Sequence, residues 1–188
     1  MKGFIDEKIA LTILSKMPFQ IKASRPSGLG HTTRVSKALA LKVDVGKVET
    51  FIGQWSAATP HSILPNLKAE LETLSKESKF LMQNPKLWNY KAADSVVAGL
   101  VVTPKKQVIV EIQVTHEKPS GTKKACKTAE FFGSTQWKLF AYAPFNAWQQ
   151  VILWISDDGT LPTLADDSIF QAHLSFKTVF ELGNFAYD

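Results

Sequence analysis

The sequence predicts an α/β protein with a mixed central sheet flanked by helices, and three observations carry that expectation. Val108-Ile109-Val110-Glu111-Ile112-Gln113-Val114-Thr115-His116 has the β-branched content of a buried strand. Asp94-Ser95-Val96-Val97-Ala98-Gly99-Leu100-Val101-Val102 reads as its partner, with Thr103-Pro104-Lys105-Lys106 as the joining turn. Around this hairpin lie stretches of helical period, the clearest being Leu67, Leu71, Leu74, Ser78 and Leu81 over Asn66 to Met82.

In chain order, Ile9, Ile13, Leu14 and Met17 mark an amphipathic helix stopped near Pro18. Arg25 to Gly30 is a loop by its Pro and Gly content, and His31 to about Leu41 reads as a helix. Lys42 to Phe51 alternates imperfectly around Gly46, as a short strand or a loop does. Asn84-Pro85 closes the 66–82 helix. Beyond His116, Thr122 caps a helix that Gly133 ends. Trp137 to Ala143 is the next strand, Asn146 starts a short helix holding Trp148 and Val151, and Val151 to Ile155 is a further strand. The apolar tail, Ser168 to Phe185, should fold back onto the body. At 188 residues the chain reads as a single domain: an N-terminal helical part over 1–65, an αββαβ core over 66–155 and a C-terminal packing segment over 156–188.

A hydrophobic fraction of 45% with 21% charged residues fits a folded globular chain. No apolar run reaches membrane-spanning length, and no basic start leads into a leader-like apolar run, so no membrane partner is expected. Cys126 is the single cysteine, which excludes an internal disulfide and fits a reducing, intracellular setting. The net charge of +5 favours an acidic partner, nucleic acid first. Lysines cluster at Lys105 and Lys106 and again from Lys118 to Lys127, both flanking the central strand. They are either phosphate contacts or a solvated face.

The chemistry is carried by one face of that strand. A period of two puts Val108, Val110, Ile112 and Val114 on one side and Ile109, Glu111, Gln113 and Thr115 on the other. A carboxylate and a carboxamide in mid-strand are costly unless something binds them. Asp94 should lie opposite Gln113 to Thr115, so that Asp94 and Glu111 could hold one Mg²⁺, with Mn²⁺ as its substitute. Such an ion serves phosphodiester hydrolysis. The competing structural reading has Asp94 capping a turn and Glu111 paired with Lys138 or another strand lysine. Trp137, Trp148 and Trp154 sit in apolar surroundings and read as core rather than a base-stacking platform. No nucleophile-elbow motif is present.

A strand with Asp, then a strand with Glu-x-Gln, a helix and a strand resembles the core of the PD-(D/E)xK nuclease superfamily. A longer similarity runs through Asp94-Ser95-Val96, Glu111 to Lys118 and Trp137 to Asn146. It resembles the nuclease-like domain of Crinkler effectors and trypanosomatid retrotransposon hot-spot proteins, with Ser27-Gly28-Leu29-Gly30 as an upstream extension. The resemblance implies a restriction-endonuclease-like fold and a Mg²⁺-dependent endonuclease acting on DNA, with RNA as the second candidate and a nuclear location. It implies Asp94 and Glu111 as metal ligands and Gln113 placing water or phosphate, while Lys118, Lys123 or Lys124 would screen the nucleic-acid backbone. His116 directly follows Thr115, whereas the family's His comes later and before Pro, so it is either a phosphate or water contact or a satisfied strand-end histidine. Two departures stand out: Gln113 replaces the usual Lys, and Arg34 aligns where a helical acidic residue belongs. They favour the alternative, a catalytically degenerate nuclease fold that binds nucleic acid or a host protein. Monomer and dimer both remain open.

Overall fold

A computed structural model describes residues 2–25, 37–51, 69–85, 94–101, 106–119, 148–164 and 168–187. In chain order the elements are α1 (Lys2–Leu14), β1 (Phe19–Arg25), β2 (Lys37–Val43), β3 (Val45–Phe51) and α2, whose described part is 69–75. There follow β4 (Phe80–Pro85), β5 (Ser95–Val101), β6 (Lys106–Val114), β7 (Trp148–Ile155), β8 (Phe170–Leu174) and α3 (Phe176–Leu182). The eight strands form one mixed sheet in the order β2-β1-β8-β7-β6-β5-β4-β3. The β3/β4, β6/β7 and β7/β8 pairs are parallel and the remaining neighbours antiparallel.

This order forces the sheet to curl. Laid flat, seven strand spacings would separate β2 from β3 by about 33 Å. Yet Asp44 alone lies between Val43 and Val45, a span of at most about 7 Å. The two ends of the sheet therefore meet at Asp44, where Phe80 N–H donates to the Asp44 carbonyl (2.8 Å) and Lys79 Nζ bonds Asp44 Oδ2 (2.6 Å). The looser seam is β1/β8, joined by the single pair Ser24 and Gln171. Arg25 reinforces it, donating from Nη1 to Ser168 O (3.0 Å) with its guanidinium 4.8 Å from the centre of the Phe170 ring.

The inner face of the curl holds the core. Ile21, Val43, Met82, Val97, Val110, Leu153 and Ala172 come from seven strands and belong to one buried cluster. Ala10, Leu11, Ile13 and Leu14 of α1 and Phe176, Val179 and Phe180 of α3 join it. α3 is framed by Ser175, whose Oγ accepts Thr178 N–H (3.0 Å), and by Asn184 at φ 57°. Beyond it Tyr187 stacks on Phe176 (5.5 Å), so the C-terminal segment does fold back. Among the described residues, no helix is long and apolar enough to cross a membrane.

Four local expectations are corrected, each where tertiary pairing overrides helix-forming side chains. The helix placed over His31 to Leu41 gives way to β2 from Lys37, because Leu39, Leu41 and Val43 turn inward on β1; residues 31–36 lie outside the described residues. The helix placed over Asn66 to Met82 stops early. Ser78 adopts φ 56° and Lys79 N–H returns to Leu74 O (2.9 Å), a left-handed helix stop, after which Phe80 starts β4. The short helix expected from Asn146 is strand by Trp148, held parallel to β6. The described residues of 1–65, expected as a helical part, supply α1 and three strands, two of them closing the curl.

Candidate metal site on the outer sheet face

Register decides which residues share the outer face. Across the sheet Gln83, Val96, Glu111, Ile152 and Gln171 form one row, each opposite or alongside the next. Gln113, Trp154 and His173 form the row beside it. Glu111 is 0% exposed and Gln113 1%, so this face is buried although polar. Gln113 Nε2 donates to Glu111 Oε1 at 2.8 Å. A carboxylate withdrawn from water needs such donors.

Asp94 sits at the bend ahead of β5. Ser95 pairs with Ile112, which places Asp94 at the Gln113–Val114 end of β6, within the register the sequence suggests. Its backbone N–H donates to Ile112 O (3.0 Å), and its Oδ2 accepts Val114 N–H (2.6 Å). The side chain thus takes the place of a backbone carbonyl and finishes the ladder at the mouth of the hairpin. Next to it the fully buried Ser95 hydroxyl lies within hydrogen-bond reach of Asn84 Oδ1 (2.6 Å) and Gln83 O (3.2 Å), fixing the start of β5 on β4. Asp94, Glu111 and Gln113 are thereby gathered at one end of one ribbon, all buried. Among the described residues, no group of three or more His, Cys, Asp or Glu is disposed to hold a metal ion.

The other expected contact residues have protein partners. His116 turns to the helix layer: its Nε2 lies 3.0 Å from Asp6 Oδ2 of α1 and its ring stacks on Phe176 of α3 (4.5 Å, 11°). It ties the chain just beyond β6 to both helices. Lys118 is 70% exposed and reaches Asp158 Oδ2 at 3.3 Å. Hydrogen bonds from the Thr160 side chain and backbone, then Lys118, bring the Asp158 carboxyl down to about 2. Lys123, Lys124, Lys138 and the strand expected at Trp137 to Ala143 lie outside the described residues, as does Arg34.

Sequence reasoning missed a second polar group toward the β3 end of the sheet. Lys47 bonds Glu49 (2.8 Å) and Glu70 of α2, and Gln83 Nε2 approaches Glu49 Oε2 (3.5 Å). The Glu49 and Glu70 carboxylates hold the Lys47 ammonium above its usual range; Lys47, then Gln83, hold the Glu49 carboxyl below its own. Reading Phe80 to Met82 as helix hides this group; Pro85 directly after Gln83-Asn84 is the available hint of a strand end.

The fold and the site define an α/β protein with a curled mixed sheet and a polar patch buried on its outer face. Compared with known proteins, the chain matches no family, no curated protein and no solved structure.

Proposed function

We propose that the chain is a Mg²⁺-dependent nuclease domain of restriction-endonuclease-like type that hydrolyses phosphodiester bonds of DNA. The observation that carries this reading is the gathering of Asp94, Glu111 and Gln113, all buried, at one end of the β5–β6 ribbon. The element order agrees with it. After α2 and β4 comes the antiparallel pair β5–β6, with the Asp just ahead of it and the Glu-x-Gln on its second strand, and the next described strand joins in parallel.

The donor set fits the ion. Two carboxylates and an amide offer oxygen alone, which is what Mg²⁺ takes, and water and phosphate oxygens would complete its shell. When bound, the cation neutralises the scissile phosphate and makes an attacking water more acidic. Asp94 and Glu111 would hold it. Gln113 would orient Glu111 and offer its amide to water or phosphate, without the positive charge a lysine brings there. Lys118 would screen the phosphate backbone outside the site.

The second reading, a degenerate nuclease fold that binds without cleaving, is favoured by one contact. The Gln113 amide already engages Glu111 Oε1, where an ion would draw that oxygen to itself.

Nicking of supercoiled plasmid with Mg²⁺ or Mn²⁺ tests the choice, using Asp94→Asn and Glu111→Gln checked for folding by circular dichroism. Nicking by wild type that falls at least about a hundred-fold in both variants is expected. Equal nicking by all three proteins, or none by any, removes the nuclease reading.

A further inference from the structure

The outer face is buried at β6 but bare at the other end of the sheet. On β1, Gln20, Lys22 and Ser24 are exposed, and on β2, Ala38, Ala40 and Lys42 are. Gln20 pairs with Lys42, Lys22 with Ala40 and Ser24 with Ala38, so these six side chains share one face of a two-stranded ribbon. That face is continuous with the candidate site, because Ser24 pairs with Gln171, Gln171 with Ile152 and Ile152 with Glu111. Beneath it Phe19, Ile21, Ala23, Leu41 and Val43 are buried, which backs the ribbon firmly.

The charge on this face has one sign. Neither β1 nor β2 contains an Asp or Glu. Lys22 and Lys42 are diagonal neighbours, about 7 Å apart; Lys37 is exposed too, at the end of β2, but it takes the opposite parity, with Leu39 and Leu41. Among the described residues, none of these three enters an ion pair, whereas Lys47, Lys79 and Lys118 each meet a carboxylate. Between the lysines lie only Ala38, Ala40, Ser24 and Gln20, small or uncharged side chains that let a partner's backbone come close. Lysines on an outer strand also deter sheet-to-sheet pairing, but Lys22 and Lys42 stand off the face rather than along the free edge.

We infer that the β1–β2 ribbon is a docking surface for the phosphate backbone of duplex DNA. It lies three to four strand spacings from Glu111, about 14–19 Å along the sheet. A two-stranded ribbon is narrow enough to lie in the major groove. The inference deepens the nuclease reading by naming where its substrate is gripped, and it rests on that reading only for the identity of the partner.

Binding of a fluorescent mixed-sequence duplex to the full chain, followed by anisotropy over a salt series in EDTA, tests the ribbon with cleavage switched off. Each phosphate contact contributes about 0.9 to the slope of log K against log salt. The pair Lys22→Gln and Lys42→Gln should therefore lower the slope by about 2, while Lys76→Gln, exposed after α2, leaves it unchanged. An unchanged slope in the paired variant, tighter binding of RNA or single strands than of duplex, or aggregation of the paired variant overturns the inference. Loss of nicking in Glu111→Gln beside an unchanged ribbon slope would remove the ribbon and leave the metal site. Ribbon-dependent binding by a wild type that never nicks would keep the ribbon and remove the nuclease.

Discussion

The two faces of β6 are equally buried and held by different forces. Val108, Val110, Ile112 and Val114 face an interior where contact is non-directional and any close-packed apolar shape suffices. Ile109, Glu111 and Gln113 face outward and are just as withdrawn from water, but there a donor must meet an acceptor at about 2.8 Å. The inner face tolerates changes of detail and fails by losing volume; the outer face fails when one partner loses the other. A chain that keeps a carboxylate in such a position accepts a cost that apolar packing would have avoided. This is why the outer face, rather than the larger core, is the place to look for chemistry.

The largest effect is expected on the inner face. Phe176→Ala removes a fully buried ring that stacks on His116 and Tyr187, and should cost about 3–5 kcal/mol in urea unfolding. A loss below about 1 kcal/mol would mean that the helix layer does not seal the core.

On the outer face the effect should be smaller and coupled. Gln113→Leu takes the Nε2 donor from Glu111 and should cost about 1–3 kcal/mol. Combined with Glu111→Leu, the total should fall short of the sum of the singles by about 1 kcal/mol, as a double-mutant cycle measures. Strict additivity would show that the pair does not act as a unit.

The smallest effect concerns the seam between the C-terminal segment and the β7–β8 connection. Burial, then the Asp157 carboxylate that accepts from Tyr187 Oη (3.2 Å), pushes the Tyr187 phenol up to about 12 from 10.0. The raised value means that the folded state prefers the neutral phenol. Its contribution is therefore intact below the unfolded value near 10 and is lost as pH rises toward 12. Thermal melts between those limits should show wild type losing Tm more steeply than Tyr187→Phe, and parallel curves would discard the linkage.

How much of this was legible depended on sequence distance. The grouping of Asp94, Glu111 and Gln113 could be read from the chain because one hairpin carries all three, and alternation fixes their side once the turn is recognised. His116 beside Asp6, and Lys47 between Glu49 and Glu70, could not, since each joins elements that only the packed sheet and helices bring together. The helical readings of Lys37 to Leu41 and Phe80 to Met82 failed for a related reason. Ala, Leu, Lys and Met favour helices locally, but β1 offers β2 a ladder, and β3 and β5 do the same for β4.

By itself, the sequence determined the β5–β6 ribbon, the polar stripe on one of its faces and the excess of positive charge, because these follow from the two-residue period and from composition. Tertiary structure alone decided that the sheet curls until β2 and β3 meet at Asp44, that Asp94 closes the hairpin ladder, and that, among the described residues, Lys47 meets carboxylates while the lysines of β1 and β2 do not. The physical reason is that period and propensity act over a few residues, whereas strand order and charge pairing depend on which distant segments share a ladder or a face.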